Sequence, residues 1–102
     1  MTTKGNGQPP LYRAIMAEQT KAKLKQLHQQ ALQRGKGQQF LDALRQIFQQ
    51  LRDNPLAFGE PLYRLPLLQL SVRQAMIAPL VVDYAVHEIQ ALVFISGFKL
   101  LF

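Results

Sequence analysis

The spacing of apolar residues changes near residue 53 and divides the chain into two parts. Before it, apolar residues recur every three to four positions, which is the period of an amphipathic helix. After it come short runs rich in Val, Ile, Leu, Phe and Tyr, several of which alternate with polar residues. Alternation of this kind is typical of strands covered on one face. The order therefore predicts two helices followed by a small sheet.

Local stop signals set the bounds of the helical part. A short apolar stretch, Leu11 to Met16, is a candidate first strand. The first helix is expected to begin near Glu18 to Thr20, where an acid suits the helix dipole, and to end at Gly35-Lys36-Gly37. The second is expected at about Gln38 to Arg52, before Asp53-Asn54-Pro55. Their short link predicts an antiparallel helical hairpin.

Three strands are expected in the second part: Leu68 to Ala75, Leu80 to His87, and Ala91 to Ser96. The proline-containing and glycine-containing segment before them, Leu56 to Pro66, reads as irregular. The fold class expected is α+β, with the helical hairpin packed on one face of a small antiparallel sheet. Helical spacing before residue 53 and the apolar positions of the strands after it place these residues in the core: Leu24, Leu27, Phe40, Leu44, Ile47, Phe48, Leu51, Leu70, Val72, Val82, Tyr84, Val86, Val93 and Ile95.

Length and composition indicate one domain, residues 11–102, preceded by a polar, Gly/Pro-rich stretch at residues 1–10 that is expected to be disordered. The chain has no Cys, which excludes disulfides and thiolate metal sites. No run of apolar residues reaches the ~18 needed to span a bilayer. A cytoplasmic location without membrane association is expected.

The charge of +6 is carried by one part of the chain. Through Lys36 there are seven basic residues against one acid, which gives +6, and from Gly37 onward five basic residues meet five acids. A field this localised favours a nucleic acid or an acidic protein as partner. A solvated surface that keeps the chain soluble explains it equally well. The candidate binding residues are Lys21, Lys23, Lys25, Arg34 and Lys36.

Residues with catalytic or ligand-binding chemistry are sparse. The two histidines, His28 and His87, lie on different predicted elements, and no metal or phosphate-loop motif occurs, so no metal or cofactor is expected. A polar set is predicted on the uncovered sheet face, followed by Lys99: Gln69, Ser71, Arg73, Asp83 and His87. Arg73 and Asp83 on neighbouring strands favour an exposed ion pair. The alternative is a site in which Arg73 binds phosphate and His87 transfers protons.

Three segments together resemble the RelE/ParE toxin superfamily over residues 11–102. They are LYRAIMAEQTKAKLKQL from Leu11, FLDALRQIFQQLRDNPLAFGEPLYRL from Phe40, and LSVRQAMIAPLVVDYAVHEIQALVFISGFKLLF from Leu70. The resemblance implies a toxin held by an antitoxin. RelE-like members cleave messenger RNA on the ribosome without a metal, through basic and aromatic residues of the open sheet face. ParE-like members lack that cluster and act on gyrase.

The family's catalytic positions are only partly retained. Arg73 matches the arginine of the Tyr-Arg-x-Arg strand, and Tyr84 matches the second tyrosine of Tyr-Arg-x-x-Tyr, whose arginine position holds Val81. The terminal Gly-His-Arg…Tyr appears as Gly97-Phe98-Lys99…Phe102. The resemblance therefore implies a toxin-like protein that acts through a protein or nucleic-acid interaction, with a degenerate catalytic cluster.

Two alternatives stay open. One is an active, metal-independent, ribosome-dependent endoribonuclease that uses Arg73, His87 and Lys99. The other is a non-catalytic module that binds nucleic acid or dimerises. The partners that these hypotheses require are an antitoxin, the ribosome or RNA, another acidic molecule, or a second copy of the chain.

Overall fold

The computed structural model describes residues 11–102, so the disorder expected for residues 1–10 concerns residues outside it. Three α-helices and five strands occur along the described chain. In order they are β1 (Arg13–Met16), α1 (Glu18–Gln33), α2 (Gly37–Asp53), α3 (Pro55–Phe58), β2 (Glu60–Leu65), a 3₁₀ turn (Pro66–Leu68), β3 (Leu70–Ile77), β4 (Leu80–His87) and β5 (Leu92–Leu100). The predicted α+β class is confirmed.

The two long helices begin and end close to the predicted residues. Gly35 has φ +70°, and the Lys36 N–H donates to the Ala31 carbonyl at 2.8 Å while the Gly35 N–H donates to Leu32 at 3.1 Å. This pattern is a Schellman motif, in which a left-handed residue after the helix satisfies its last carbonyls. The predicted glycine stop therefore works through the backbone conformation of Gly35, and α2 begins two residues later.

The sheet contains five strands in the order β1-β5-β4-β3-β2. Strands β3 to β5 pair antiparallel, as predicted. Strand β2, which was not predicted, also pairs antiparallel with β3, whereas β1 pairs parallel to β5, so the sheet expected to be antiparallel is mixed. Both α1 and α2 pack on one face, which we call the covered face, and the other is the open face. The buried core lies between the helices and the covered face.

Strand β2 lies within the segment Leu56 to Pro66, for which the prolines predict irregular structure. It pairs with β3 along one edge of the sheet, with a register irregularity between Pro61 and Tyr63, and all six of its residues are exposed. A proline and a bulge are typical of an edge strand. Arg64 on β2 also forms a two-pronged ion pair with Glu88, with an Nη2–Oε1 distance of 2.8 Å. This pair ties the edge strand to the loop after β4.

An irregularity between β4 and β5 keeps the end of β5 in the core. Tyr84 is paired with Ile95, whereas Asp83 is paired with Gly97, so Ser96 is an additional residue in β5. One extra residue reverses the alternation of faces along a strand. Ile95 and Phe98 are consequently both buried on the covered face. Strand β5 therefore continues to Leu100, beyond the predicted end at Ser96.

The predicted orientation of β3 is wrong. Arg73 and Ala75 are paired with the buried Tyr84 and Val82, which places them on the covered face. Leu70 and Val72, predicted in the core, are therefore on the open face. Leu68, the expected first residue of this strand, lies in the 3₁₀ turn. The orientation of β4 is as predicted, with Val82, Tyr84 and Val86 fully buried.

The rest of the predicted core agrees well with the structure. On the helices Leu27, Phe40, Ile47 and Leu51 are buried, and Val93 and Ile95 are buried on β5. Leu24, Leu44 and Phe48 are half-buried against the same core. These side chains come from α1, α2, β4 and β5. The helical hairpin and the sheet therefore share one hydrophobic core.

We expect Gly35→Ala to lower the free energy of unfolding by about 1–2 kcal/mol, because a side chain disfavours the left-handed conformation that this residue adopts. Urea denaturation measures the change. The matched control is Gln33→Ala, which changes an exposed residue of α1 without altering the turn. Equal stability of Gly35→Ala and the wild type would contradict the role of this turn.

Candidate functional site: the Arg73 cluster and the two faces of the sheet

Arg73 is a buried cation whose hydrogen bonds go to the protein itself. Only 9% of the residue is exposed. Its Nη2 donates to the carbonyl oxygens of Leu56 at 2.6 Å and Gly59 at 2.9 Å, and its Nη1 donates to Ser71 Oγ at 3.3 Å. The guanidinium therefore connects the segment around α3 to the sheet. It lies on the covered face, and not on the open face where the sequence pattern predicts it.

No carboxylate of the described residues forms an ion pair with Arg73. The exposed pair predicted between Arg73 and Asp83 is wrong, because Asp83 lies on the open face and accepts a hydrogen bond from Gln74 at 2.7 Å. The Arg73 Nε is buried without a hydrogen-bond partner. Neutral oxygens, the carbonyls of Leu56 and Gly59 and the Ser71 hydroxyl, therefore stabilise a charge that is costly to bury, through charge-assisted hydrogen bonds.

Tyr84 lies beside Arg73 across the β3–β4 pairing and is completely buried. Its hydroxyl donates to the Pro55 carbonyl at 2.8 Å, so the position in the core that the sequence predicts for Tyr84 is confirmed and its buried hydroxyl has a hydrogen-bond partner. Burial raises the pKa of Tyr84 above its ordinary value, while the Arg73 guanidinium and the Gly59 backbone act in the opposite direction. The neutral Tyr84 phenol thus bonds to the first residue of α3, and the Arg73 guanidinium bonds to Gly59, directly after its last residue.

Gly59 is required where this segment passes over Tyr84. A Cβ at this residue would lie 2.5 Å from the Tyr84 hydroxyl and 2.7 Å from the Gln74 carbonyl oxygen. The backbone contact cannot be relieved by rotating a side chain. Any larger residue would therefore separate the α3 segment from the sheet and disturb the acceptors of Arg73.

The remaining predicted catalytic residues are on the open face, far from each other. His87 Nδ1 accepts hydrogen bonds from the backbone N–H groups of Ile89 at 3.1 Å and Gln90 at 3.0 Å, so this nitrogen stabilises the turn after β4. Lys99 is paired with Val81, at the opposite end of β4. Six residues of strand separate the two positions by about 20 Å. Arg73, His87 and Lys99 therefore do not form one site.

Basic residues of α1 lie on two flanks of the helix. Successive residues are about 100° apart, so Lys21 and Lys25 share one flank, whereas Lys23 lies on the other, beside Ser96 and Gly97 of β5. All three are exposed. Lys21 is 3.4 Å from Glu18, in an exposed pair that contributes little to stability.

Arg34 and Lys36 form a separate basic group at the far end of α1. Their cationic groups lie 5.3 and 5.7 Å from the centre of the Phe102 ring. This is the distance range of cation–π contacts. The five predicted binding residues therefore surround the helical hairpin at three places and do not form one continuous patch.

The open face is less polar than the sequence pattern predicts. One row of side chains crosses all five strands in register, and we call it the open-face row: Ile15, Phe94, Ala85, Val72 and Tyr63. Its members at the two edges, Ile15 and Tyr63, are 38% and 58% exposed. The polar set predicted for this face contributes only Asp83 and His87, since Ser71 and Arg73 are on the covered face and Gln69 is in a turn.

Further apolar side chains are exposed where the β2–β3 hairpin turns. Leu62, Leu65, Leu67 and Leu68 are all exposed, and Leu67 is 99% exposed. The sequence PLYRLPLL, from Pro61 to Leu68, contains these apolar residues, but its two prolines favour irregular structure over a strand. The open-face row was also present in the sequence as Val72 and Phe94, yet an alternating strand does not reveal which of its faces a helix will cover.

Within residues 11–102, no three His, Asp or Glu side chains approach closely enough to hold a metal ion. None of the described helices combines the length and apolarity required to cross a bilayer.

Comparison of the chain with protein-family models, curated proteins and solved structures returned no significant match. The resemblance to RelE/ParE toxins therefore depends only on the three sequence segments that begin at Leu11, Phe40 and Leu70.

We expect Arg73→Met to lower the free energy of unfolding by about 1–3 kcal/mol, because it removes the donor of the partly buried hydrogen bonds to the Leu56 and Gly59 carbonyls. Arg73→Lys is expected to have a smaller effect, since an ammonium retains the charge without the planar fork. Urea denaturation provides the measurement, with the exposed Arg45→Met as control. If Arg73→Met is as stable as the wild type, the guanidinium has no anchoring role.

Tyr84→Phe is expected to cost about 1 kcal/mol at neutral pH through the lost hydrogen bond to Pro55. The pKa of Tyr84 is raised from 10.0 in the folded chain. The stability that the Tyr84 hydroxyl contributes is therefore complete below pH 10, and it falls at higher pH because the phenol then ionises first in the unfolded chain. The stability difference between the wild type and Tyr84→Phe should therefore shrink above pH 10. Urea unfolding at a series of pH values tests this, with the exposed Tyr63→Phe as control. A constant difference would contradict the prediction.

Proposed function

We propose that this protein is a toxin-like member of a toxin–antitoxin pair that acts by binding an acidic partner and not by cleaving RNA. The observation that carries the proposal is the exposure of Lys21, Lys23 and Lys25 on two flanks of α1, in the part of the chain that holds the whole charge excess. Positive charge on both flanks suits an acidic protein segment that contacts more than one side of the helix.

The arrangement of the candidate catalytic residues favours binding over catalysis. A phosphate clamp needs free N–H donors at the reacting group, but Arg73 directs its two Nη atoms at internal oxygens. His87 and Lys99 are about 20 Å apart along the sheet. The ribonuclease alternative therefore lacks a place where a phosphate could meet a base and a cation together.

A cytoplasmic location forms part of this proposal. The absence of Cys from the chain is in keeping with a reducing compartment. The antitoxin that this proposal requires carries an acidic segment complementary to α1.

Growth of a bacterial host after induced expression tests the proposal. We expect the wild type to arrest growth, and His87→Ala/Lys99→Ala to arrest it equally, because neither side chain is required for binding through α1. The triple variant Lys21→Gln/Lys23→Gln/Lys25→Gln should lose most of the effect, since it removes three of the charges that attract the partner.

The matched control is Arg45→Gln/Arg52→Gln, which removes two exposed charges from α2 and should leave growth arrest intact. Soluble protein level and melting temperature are measured for every variant, because exposed substitutions of this type usually change stability by less than about 0.5 kcal/mol. Absence of arrest by the wild type would contradict toxin action. Loss of arrest in His87→Ala/Lys99→Ala alone would contradict the non-catalytic mechanism.

A further inference from the structure

The open-face row has no covering layer among the described residues. Both long helices pack on the covered face, and the side chains of Leu65, Leu70, Leu92 and Met76 extend the apolar area around the row. A sheet usually buries its apolar face against another layer, and large exposed apolar patches mark interaction sites. Residues 1–10 contain a single large apolar side chain, Met1, so their composition does not supply such a layer.

We propose that the open face is the interface of a homodimer, in which the open-face row of one copy packs against that of a second copy. The result is a four-layer particle with helices outside and two sheets inside. Sheets packed face to face lie about 10 Å apart with interdigitating side chains. The proposal is independent of the toxin-like function, because that function uses α1.

The size of the face is sufficient for a stable dimer. The strands are unequal in length, since β1 has four residues, β2 has six, and β3, β4 and β5 have eight or nine. At about 3.3 Å per residue and about 4.8 Å between strands, they form a face of about 550 Å². Two such faces give about 1,100 Å², which exceeds the roughly 1,000 Å² that a specific protein interface needs. The central member of the row is Ala85, on the middle strand β4. Its small side chain leaves room for a second sheet to approach closely.

Charge favours a second copy over a nucleic acid at this face. Arg13 and Lys99 on the open face are balanced by Glu60 and Asp83, so its formal charge is zero. The basic helix α1 lies on the opposite side of the sheet. Two chains can therefore meet at the open face while their positive helices point away from each other, and a polyanion would find no net attraction here.

Sedimentation equilibrium of the full chain tests the dimer. We expect a wild-type mass near twice the 11.6 kDa of one chain. Ala85→Arg places two like charges and two long side chains at the centre of the interface, so it should raise the dissociation constant by about 100-fold or more. Because the proposed contact is apolar, the wild-type dimer should persist from about 0.1 to about 1 M salt.

Leu32→Arg is the matched control, since it introduces the same charge at an exposed apolar residue of α1 and should leave the dimer intact. Tyr63→Arg provides a second test at the exposed end of the row, for use if Ala85→Arg lowers the melting temperature. A monomeric wild type would overturn the proposal. A dimer that survives both row substitutions, or that dissociates instead on Leu67→Arg at the hairpin tip, would also overturn it.

The triple lysine variant of α1 separates this proposal from the toxin-like function. It should remain dimeric even where growth arrest is lost. Dissociation of the triple variant would place the contact at α1 and contradict an interface on the open face.

Discussion

Both long helices lie on the same side of the sheet, and every strand therefore has one face in the core and one face outside it. Strand β4 is the centre of this arrangement, because Leu80, Val82, Tyr84 and Val86 are all fully buried beneath the helices. Each neighbouring strand is aligned to β4 by backbone hydrogen bonds, so its covered residues are set by register. The burial of one face of β4 thus decides the orientation of side chains in β3 and β5.

The Arg73 cluster connects this core to the segment after α2. Tyr84 bonds to the carbonyl of Pro55 at the beginning of α3, and Arg73 bonds to Leu56 and to Gly59 beyond its end. A four-residue helix has too few internal hydrogen bonds to be stable by itself. These side chains supply the missing partners, so residues that resemble catalytic groups of a toxin family have an internal, structural use here.

The two sides of the molecule consequently offer different chemistry. The helical side carries lysines and arginines at α1 and around Phe102, which is suited to acidic molecules. The open side carries the open-face row and a balanced set of charges, which is suited to an apolar protein surface. A protein with this division can use one side for assembly and the other for a charged partner without competition between them.

Local patterns allowed much of the fold to be predicted, because their causes are local. The helical period, the Gly35 turn and the proline after Asn54 placed α1 and α2 within one or two residues. The alternation of β4 gave its buried face correctly, since its covered residues are the larger set of apolar side chains. Strand β2 was missed because Pro61 and Pro66 suggest irregular structure, while edge pairing with β3 tolerates them.

The sequence by itself determined the two long helices, the strands β1, β3, β4 and β5, and where the positive charge lies. Only the tertiary structure decided which face of β3 is covered. Leu70 and Val72 favour one face and Ala75 and Ile77 the other, so both orientations satisfy the alternation. Pairing with β4 resolved the choice and turned Arg73 inward. The candidate catalytic site could not be predicted for the same reason: a period of two defines two faces, but long-range packing decides which one the helices bury.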